Sequence, residues 1–391
     1  MKRYLVPLAM LAAMPSALAQ APGQAPTTSP TVLPVPTQKV PEIPFDSVPN
    51  FLRMPPNLYL GEAAGVAVNS KGHIFVYSRG DTDGPAYAAR ASQLLEFTAD
   101  GQFIREIGHN LYAWAFAHTV RIDKDDNIWA TDKGTDMIVQ FNPDGQVMKV
   151  FGRKKEASDA NAVPWERPNP PLPPIDQQFR QPTDVTWDPA GNIYISDGYI
   201  NARVAVFDKD GFWVRSFGTP GAGPGQLNTP HSIASDKDGN IYVADRGNRR
   251  VQVFDGTGKV LRQIVMDVYY DYDKSHAPLG AKAPMTPQGV NFGTGLTQAP
   301  GAPWAICITP PNASGQQFLY AADAFPGRIY KVTLDGTVVG VLGEAGKALK
   351  QFGWIHEIAC PSENELFVAE ILNWRIQKLT LRPQQQRAGL Q

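Results

Sequence analysis

Two cysteines in 391 residues exclude a disulfide-stapled scaffold and any cysteine-rich zinc or iron–sulfur centre. Neither sign of charge dominates, with 36 Lys plus Arg against 37 Asp plus Glu. That balance argues against an electrostatic binder of nucleic acid. No segment offers the long apolar run that a membrane-spanning helix requires. A phosphate-cradling P-loop, a G-x-G-x-x-G turn and a G-x-S-x-G elbow are also missing. Nucleotide cofactors and serine-hydrolase chemistry are set aside accordingly. What the chain has in quantity is glycine and proline, 35 of each, beside 43% hydrophobic residues. A sizeable core is available, and the turn-rich composition favours many short strands.

Lys2 and Arg3, the apolar stretch Tyr4 to Ala13 and the small-residue site Ala17-Leu18-Ala19 read as a cleavable export signal over residues 1–19. The expected location is the bacterial periplasm or the exterior, where Cys307 and Cys360 could pair. Residues 20–56, rich in Pro, Thr, Gln and Ala, are predicted to be an extended linker. Residues 57–383 carry the fold, and 384–391 read as a frayed tail.

Within that central span one phrase recurs six times. An apolar pair leads to Asp-x-x-Gly-Asn, an alternating Ile-Tyr-Val run, an Asp, then Asn-x-Arg-Val-x-x-Phe and Asp-Gly. The clearest copies run from Pro182 to Gly218 and from Pro230 to Ile264, with a third from His118 to Gly152. Weaker copies begin near Gly65, Pro303 and Ile355. Each holds four short runs of period-two alternation separated by turn signals. A four-stranded unit of that size has two apolar faces, so it must stack against its like. Radial stacking also protects strand edges, and six units predict an all-β, six-bladed β-propeller. The interruptions Arg153–Gln181 and Met266–Ala302 fall between units and read as long rim loops.

Aligned on their first strands, three copies carry histidine at one position: Ala-His118-Thr, Pro-His231-Ser and Ile-His356-Glu. The intervening copies carry Thr183 and Trp304 there. In a six-fold ring, alternate blades lie ~120° apart and the first strand lines the central channel. A lone histidine at such a position is usually a hydrogen-bonded structural group, but three in phase converge on the axis and are read as metal ligands. Three nitrogen ligands leave the fourth position of a zinc ion open, the catalytic arrangement. His356-Glu357-Ile358-Ala359-Cys360 begins like HExxH but ends in Cys and lies on a strand, so it is discarded. Tyr112, Trp114 and Phe116 alternate toward His118 and are assigned to core packing.

These repeats resemble the NHL family, and the span from about Gly61 to Arg382 is similar in order and motifs to the amidating lyases that act on peptidyl-α-hydroxyglycine. The resemblance implies zinc held by His118, His231 and His356. It implies an active-site arginine at Arg79, in Val-Tyr-Ser-Arg-Gly-Asp, that pairs with the substrate carboxylate or the catalytic tyrosine. It assigns that tyrosine to Tyr199, in Ser-Asp-Gly-Tyr-Ile-Asn, with Ile200 where the family has a bridged cysteine. It further implies a calcium ion in the channel, held by the carbonyls of Val66 and Val120 and by Glu357, which replaces the family's Asp. Trp354 stands where the family has methionine. The implied reaction splits the N–Cα bond of a peptidyl- or N-acyl-α-hydroxyglycine into a primary amide and glyoxylate. A monomer acting on a peptide or small amidated-glycine substrate is expected. Two rivals from other classes are a metal-free NHL binding scaffold and a calcium-dependent propeller lactonase or related hydrolase.

Overall fold

Each Asp-x-x-Gly-Asn turn closes because its first carboxylate accepts hydrogen bonds from the turn itself. Asp188 accepts the Asn192 backbone N–H at 2.9 Å and the Asn192 side-chain amide at 2.7 Å. Asp123 with Asn127 and Asp236 with Asn240 repeat the clip. Such side-chain-to-backbone bonds make a tight reversal between two strands cheaper than continued extension.

The protein is described by a computed structural model covering residues 36–80, 92–156, 171–271 and 299–382. The expected export signal, the first part of the expected linker, the tail and much of both rim loops lie outside these residues. Six four-stranded antiparallel sheets form, as the repeats predict. Their innermost strands are Ala63–Val68, Ala117–Ile122, Pro182–Trp187, Pro230–Ser235, Ala305–Ile308 and Ile355–Ser362, which define blades one to six. Adjacent blades share apolar clusters; Ala234 and Tyr242 of blade four, for example, pack with Ile306 and Tyr330 of blade five. Cys307 and Cys360 are bonded to one another, joining the inner strands of blades five and six. Among the described residues no helix is long and apolar enough to cross a membrane.

The linker expectation is corrected over residues 36–56. Phe45–Ser47 is the outermost strand of blade six, pairing Phe45 with Leu381 and Ser47 with Leu379. Just before it, Ile43 donates its N–H to the Val341 carbonyl of blade five at 2.8 Å. Just after it, Arg53 donates to Gly101 at 2.8 Å, beside the outer strand of blade one. The proline-rich segment thus straps three blades across the point where the ring closes. Proline costs little there, because an outer strand needs ladder bonds on one side alone.

A second recurring carboxylate fixes the loops that enter the blades. Asp132, Asp197, Asp245, Asp323 and Glu370, at the ends of the second strands, are fully buried. Each accepts a backbone N–H from the loop leading into its own blade: Phe116, Arg180, Asn228, Gly301 and Gly353 respectively. The residues directly after these carboxylates are thereby held at the channel mouth.

Deleting the chain through Ser47 exposes the edge of Arg375–Leu381 and unpacks Ile43 and Phe45. Two such partly buried side chains are worth about 3 kcal/mol together. We expect a correspondingly lower urea midpoint; an unchanged midpoint would show that the ring is closed by something else.

Candidate metal centre

His118, His231 and His356 meet on the axis, fully buried, with one ring nitrogen from each lying within 4.8 Å of the others. Their ring centroids are 4.7, 4.7 and 4.9 Å apart. The trio expected from the repeat alignment is therefore brought together.

What fixes the rings is the next blade. His118 Nδ1 lies 2.6 Å from the Thr183 carbonyl, His231 Nδ1 2.6 Å from that of Trp304, and His356 Nδ1 2.8 Å from that of Ala64. A carbonyl oxygen can only accept, so each Nδ1 carries the hydrogen and each Nε2 keeps a lone pair. Ala64, Thr183 and Trp304 are the positions equivalent to the histidines in the odd-numbered blades. One ring of six thus alternates between imidazoles and the carbonyls that orient them. Burial lowers all three imidazole pKa values well below the usual range, and neighbouring cations lower them further. Three neutral, oriented Nε2 donors suit a borderline-soft divalent ion.

The groups touching those lone pairs are chemically active. The Tyr199 hydroxyl lies 3.0 Å from His231 Nε2 and 3.4 Å from His118 Nε2. Arg79 Nη2 lies 3.1 Å from His356 Nε2, while its other nitrogens bond the Ala117 carbonyl and, at 2.9 Å, Glu62. Both residues singled out in the sequence therefore sit at the trio, and Arg79 is already anchored.

Two further residues were missed. Lys133 Nζ lies 3.8 Å over the Tyr199 ring, and the Arg246 guanidinium stacks 3.9 Å over Trp304 and 5.3 Å from the Tyr199 ring. Arg246 is buried, with Nε and Nη1 lacking a hydrogen-bond partner among the described residues. The signal was available: Arg79, Lys133 and Arg246 all stand one residue beyond the end of a second strand. Burial pushes the Tyr199 phenol up, but Lys133, Arg246 and Arg79 together outweigh it and its pKa is lowered. Trp304, beneath Arg246, is in edge contact with Trp354 at 4.9 Å.

Other expectations change. Of the aromatic run, Trp114 is core, packed on Tyr77 at 4.9 Å, but Tyr112 is exposed and Phe116 lies beneath Arg79 at 4.2 Å. Alternation alone could not separate these, because the run lies in the entry loop and not on a pleated strand. Val66, Val120 and Glu357 do meet, but Glu357 Oε2 accepts the backbone N–H groups of Val66 and Val120 at 2.9 and 3.1 Å. An amide N–H is a donor and cannot ligate a cation, so the calcium expectation does not fit this contact.

The metal-free protein should lose stability as pH falls below about 6.5, where unfolded histidine protonates and these three do not. The slope would approach about 4 kcal/mol per pH unit for three imidazoles, and His118→Asn should remove about a third of it. Urea titrations in chelator at several pH values measure it; a flat profile would mean that the folded trio is protonated.

The NHL repeat family matches residues 227–254. Peptidylglycine alpha-amidating monooxygenase of Rattus norvegicus is 30% identical over 225 residues, 51% of this chain and 21% of the relative. A probable peptidyl-alpha-hydroxyglycine alpha-amidating lyase of Caenorhabditis elegans is 27% identical over 216 residues, 51% of this chain and 57% of the relative. NHL repeat-containing protein 3 of Homo sapiens is 29% identical over 214 residues, 51% of this chain and 54% of the relative. The chain thus spans 24% of the amidating monooxygenase B of Xenopus laevis and little more than half of the shorter relatives. Among solved structures, a streptogramin B lyase aligns with a TM-score of 0.51 at 15% identity, over 87% of this chain and 98% of that one, which shows the fold. The chain is a six-bladed β-propeller with an NHL repeat match at residues 227–254, and over about half its length it is similar to a probable peptidyl-alpha-hydroxyglycine alpha-amidating lyase.

Proposed function

We propose that the protein is a zinc-dependent lyase that cleaves N-acyl- or peptidyl-α-hydroxyglycine to a primary amide and glyoxylate. The observation that carries this reading is the Tyr199 hydroxyl set against two of three converging imidazole Nε2 atoms, within a ring of three cations. His118, His231 and His356 would hold the zinc, whose Lewis acidity lowers the pKa of a bound hydroxyl and stabilises developing negative charge.

The remaining steps belong to the chain's own groups. Arg246 brings a buried positive charge and N–H groups that are unpaired among the described residues, which suit an incoming carboxylate. Arg79 and Lys133 add positive charge on the same side. Trp304 and Trp354 provide an apolar face for the acyl group. With the carboxylate held, Tyr199 as phenolate takes the proton of the substrate hydroxyl. The pair left on oxygen by the broken O–H bond forms the carbonyl of glyoxylate, the N–Cα bond breaks, and its pair goes to the amide nitrogen. Tyr199 returns the proton there, so the reaction balances without water. The lowered phenol pKa is what lets one residue both accept and donate the proton.

Glyoxylate release from α-hydroxyhippurate tests this reading. Tyr199→Phe should lower kcat by about 10²–10⁴ with metal retained. His231→Ala should lose both metal and activity. Arg246→Met should raise KM by about tenfold or more, the loss of a charged hydrogen bond. A zinc-loaded wild-type protein that releases no glyoxylate would reject the proposal and leave a binding propeller.

A further inference from the structure

One layer further along the channel from the histidines, the structure departs from the expected calcium site in a specific way. We infer that the guanidinium of Arg121 is the channel's built-in cation, taking the place of a divalent ion. Arg121 lies on the inner strand of blade two, and its planar head is surrounded by oxygen from four other blades. Nε and Nη2 donate to the two Asp184 oxygens at 2.9 and 2.6 Å. Nη2 also reaches Ser232 Oγ and the Ile306 carbonyl, both at 3.2 Å, and Nη1 reaches the Ile358 carbonyl at 3.4 Å. Glu357 Oε1 completes the set 3.1 Å from Nε.

Two carboxylates, two carbonyls and a hydroxyl converging at a channel centre form the kind of hard-oxygen donor set that calcium takes. Here a fixed charge already fills it. Arginine suits the position because its planar fork pairs bidentately with Asp184 and cannot lose its charge. One oxygen of each carboxylate is also held from the other side, while Glu357 Oε1 has the ion pair with Arg121 and no hydrogen bond among the described residues. Asp184 Oδ2 accepts Ser232 Oγ at 2.8 Å and the Ile233 N–H at 3.0 Å, while Glu357 Oε2 takes the Val66 and Val120 N–H groups. A divalent ion would have to break these bonds or expel the guanidinium.

The neighbouring sequence is adjusted to match. Glu357 is one methylene longer than aspartate, and its carboxylate passes directly over Gly65. A Cβ at Gly65 would sit 2.8 Å from Glu357 Oε2 and 2.8 Å from the Val120 nitrogen, so any side chain there would push the carboxylate away. Glu357, Gly65 and Arg121 act as one set: a longer acid, the space for it and a cation to receive it. The inference does not depend on the lyase reading, because it concerns a different layer and a different ion.

Calcium binding to the full-length wild-type protein tests it, with zinc content held equal between samples. Equilibrium dialysis against radiocalcium at about 1 mM, where even weak protein sites fill, should give less than ~0.1 equivalent bound. Added calcium should move the Tm by less than about 1 °C. One equivalent bound with a rise in Tm would overturn the inference. Arg121→Ser, which leaves the oxygens without their cation, should be less stable than wild type and should gain a calcium-dependent rise in Tm. If that variant keeps the wild-type Tm without calcium, the guanidinium is not the required cation. If it does not fold, the wild-type measurements decide alone.

Discussion

The hydrogen bond from each axial imidazole to the neighbouring blade is the contact on which the centre depends. A β-propeller repeats its inner strand once per blade, so one position of that strand recurs around the channel while its neighbours pack between the blades. Turning that recurrence into a metal site requires three rings held in one tautomer and one orientation. The carbonyls of Ala64, Thr183 and Trp304 do both at once. They are backbone atoms, so side-chain substitution at those positions leaves the acceptor in place, and Thr and Trp can serve other ends. Thr183 uses its hydroxyl to reach the Pro230 carbonyl at 2.9 Å, and Trp304 turns its ring toward Arg246.

Six-fold repetition with three-fold chemistry follows from the same geometry. Were all six positions histidine, neighbouring rings would crowd the axis, where three rings already lie 4.7 to 4.9 Å apart. Alternation separates ligand from acceptor, so the two roles never fall on adjacent copies of the same residue. The repeat also explains how catalytic candidates reach the site. In blades two to six a buried carboxylate at the end of the second strand pins the entry loop and the next residue is delivered to the mouth, while in blade one Ser78 stands at that position. In blades one, two and four that residue is Arg79, Lys133 or Arg246, and in blade three Gly198 passes the role to Tyr199.

Much of this was legible in the sequence because the repeat is explicit and channel position is a repeat coordinate. The histidines could be placed from their phase within a copy, and Arg79 and Tyr199 from the resemblance to the amidating lyases. What escaped had physical reasons. Lys133 and Arg246 are cations beside turns, which composition assigns to solvent; their burial appears only when the channel is closed. The strap at Ile43 to Ser47 carries prolines, and a segment whose partner lies more than three hundred residues away offers no local pattern. The lower channel was misread because a resemblance transfers residue positions but not reach. The Glu357 carboxylate accepts two amide N–H groups, and the cation beside it, Arg121, sits one residue beyond Val120, outside the matched motif.

The two layers of the channel differ most in how their charge is balanced. In the lower layer Arg121 meets Asp184 and Glu357, so buried charge is answered within the protein and nothing need be recruited. In the upper layer Arg79, Lys133 and Arg246 surround neutral imidazoles, and Glu62 offsets Arg79. Placing a divalent ion among them would deepen the positive excess. Burying that much like charge is costly unless an anion accompanies it. Within the chain, the group able to respond is Tyr199, and the lowering of its pKa against the pull of burial is that response. On the proposed reading, a substrate carboxylate from solution would supply the rest. The upper layer is stable as a site because it is incomplete as an electrostatic unit, which is the property expected of a centre that binds anions and shifts protons.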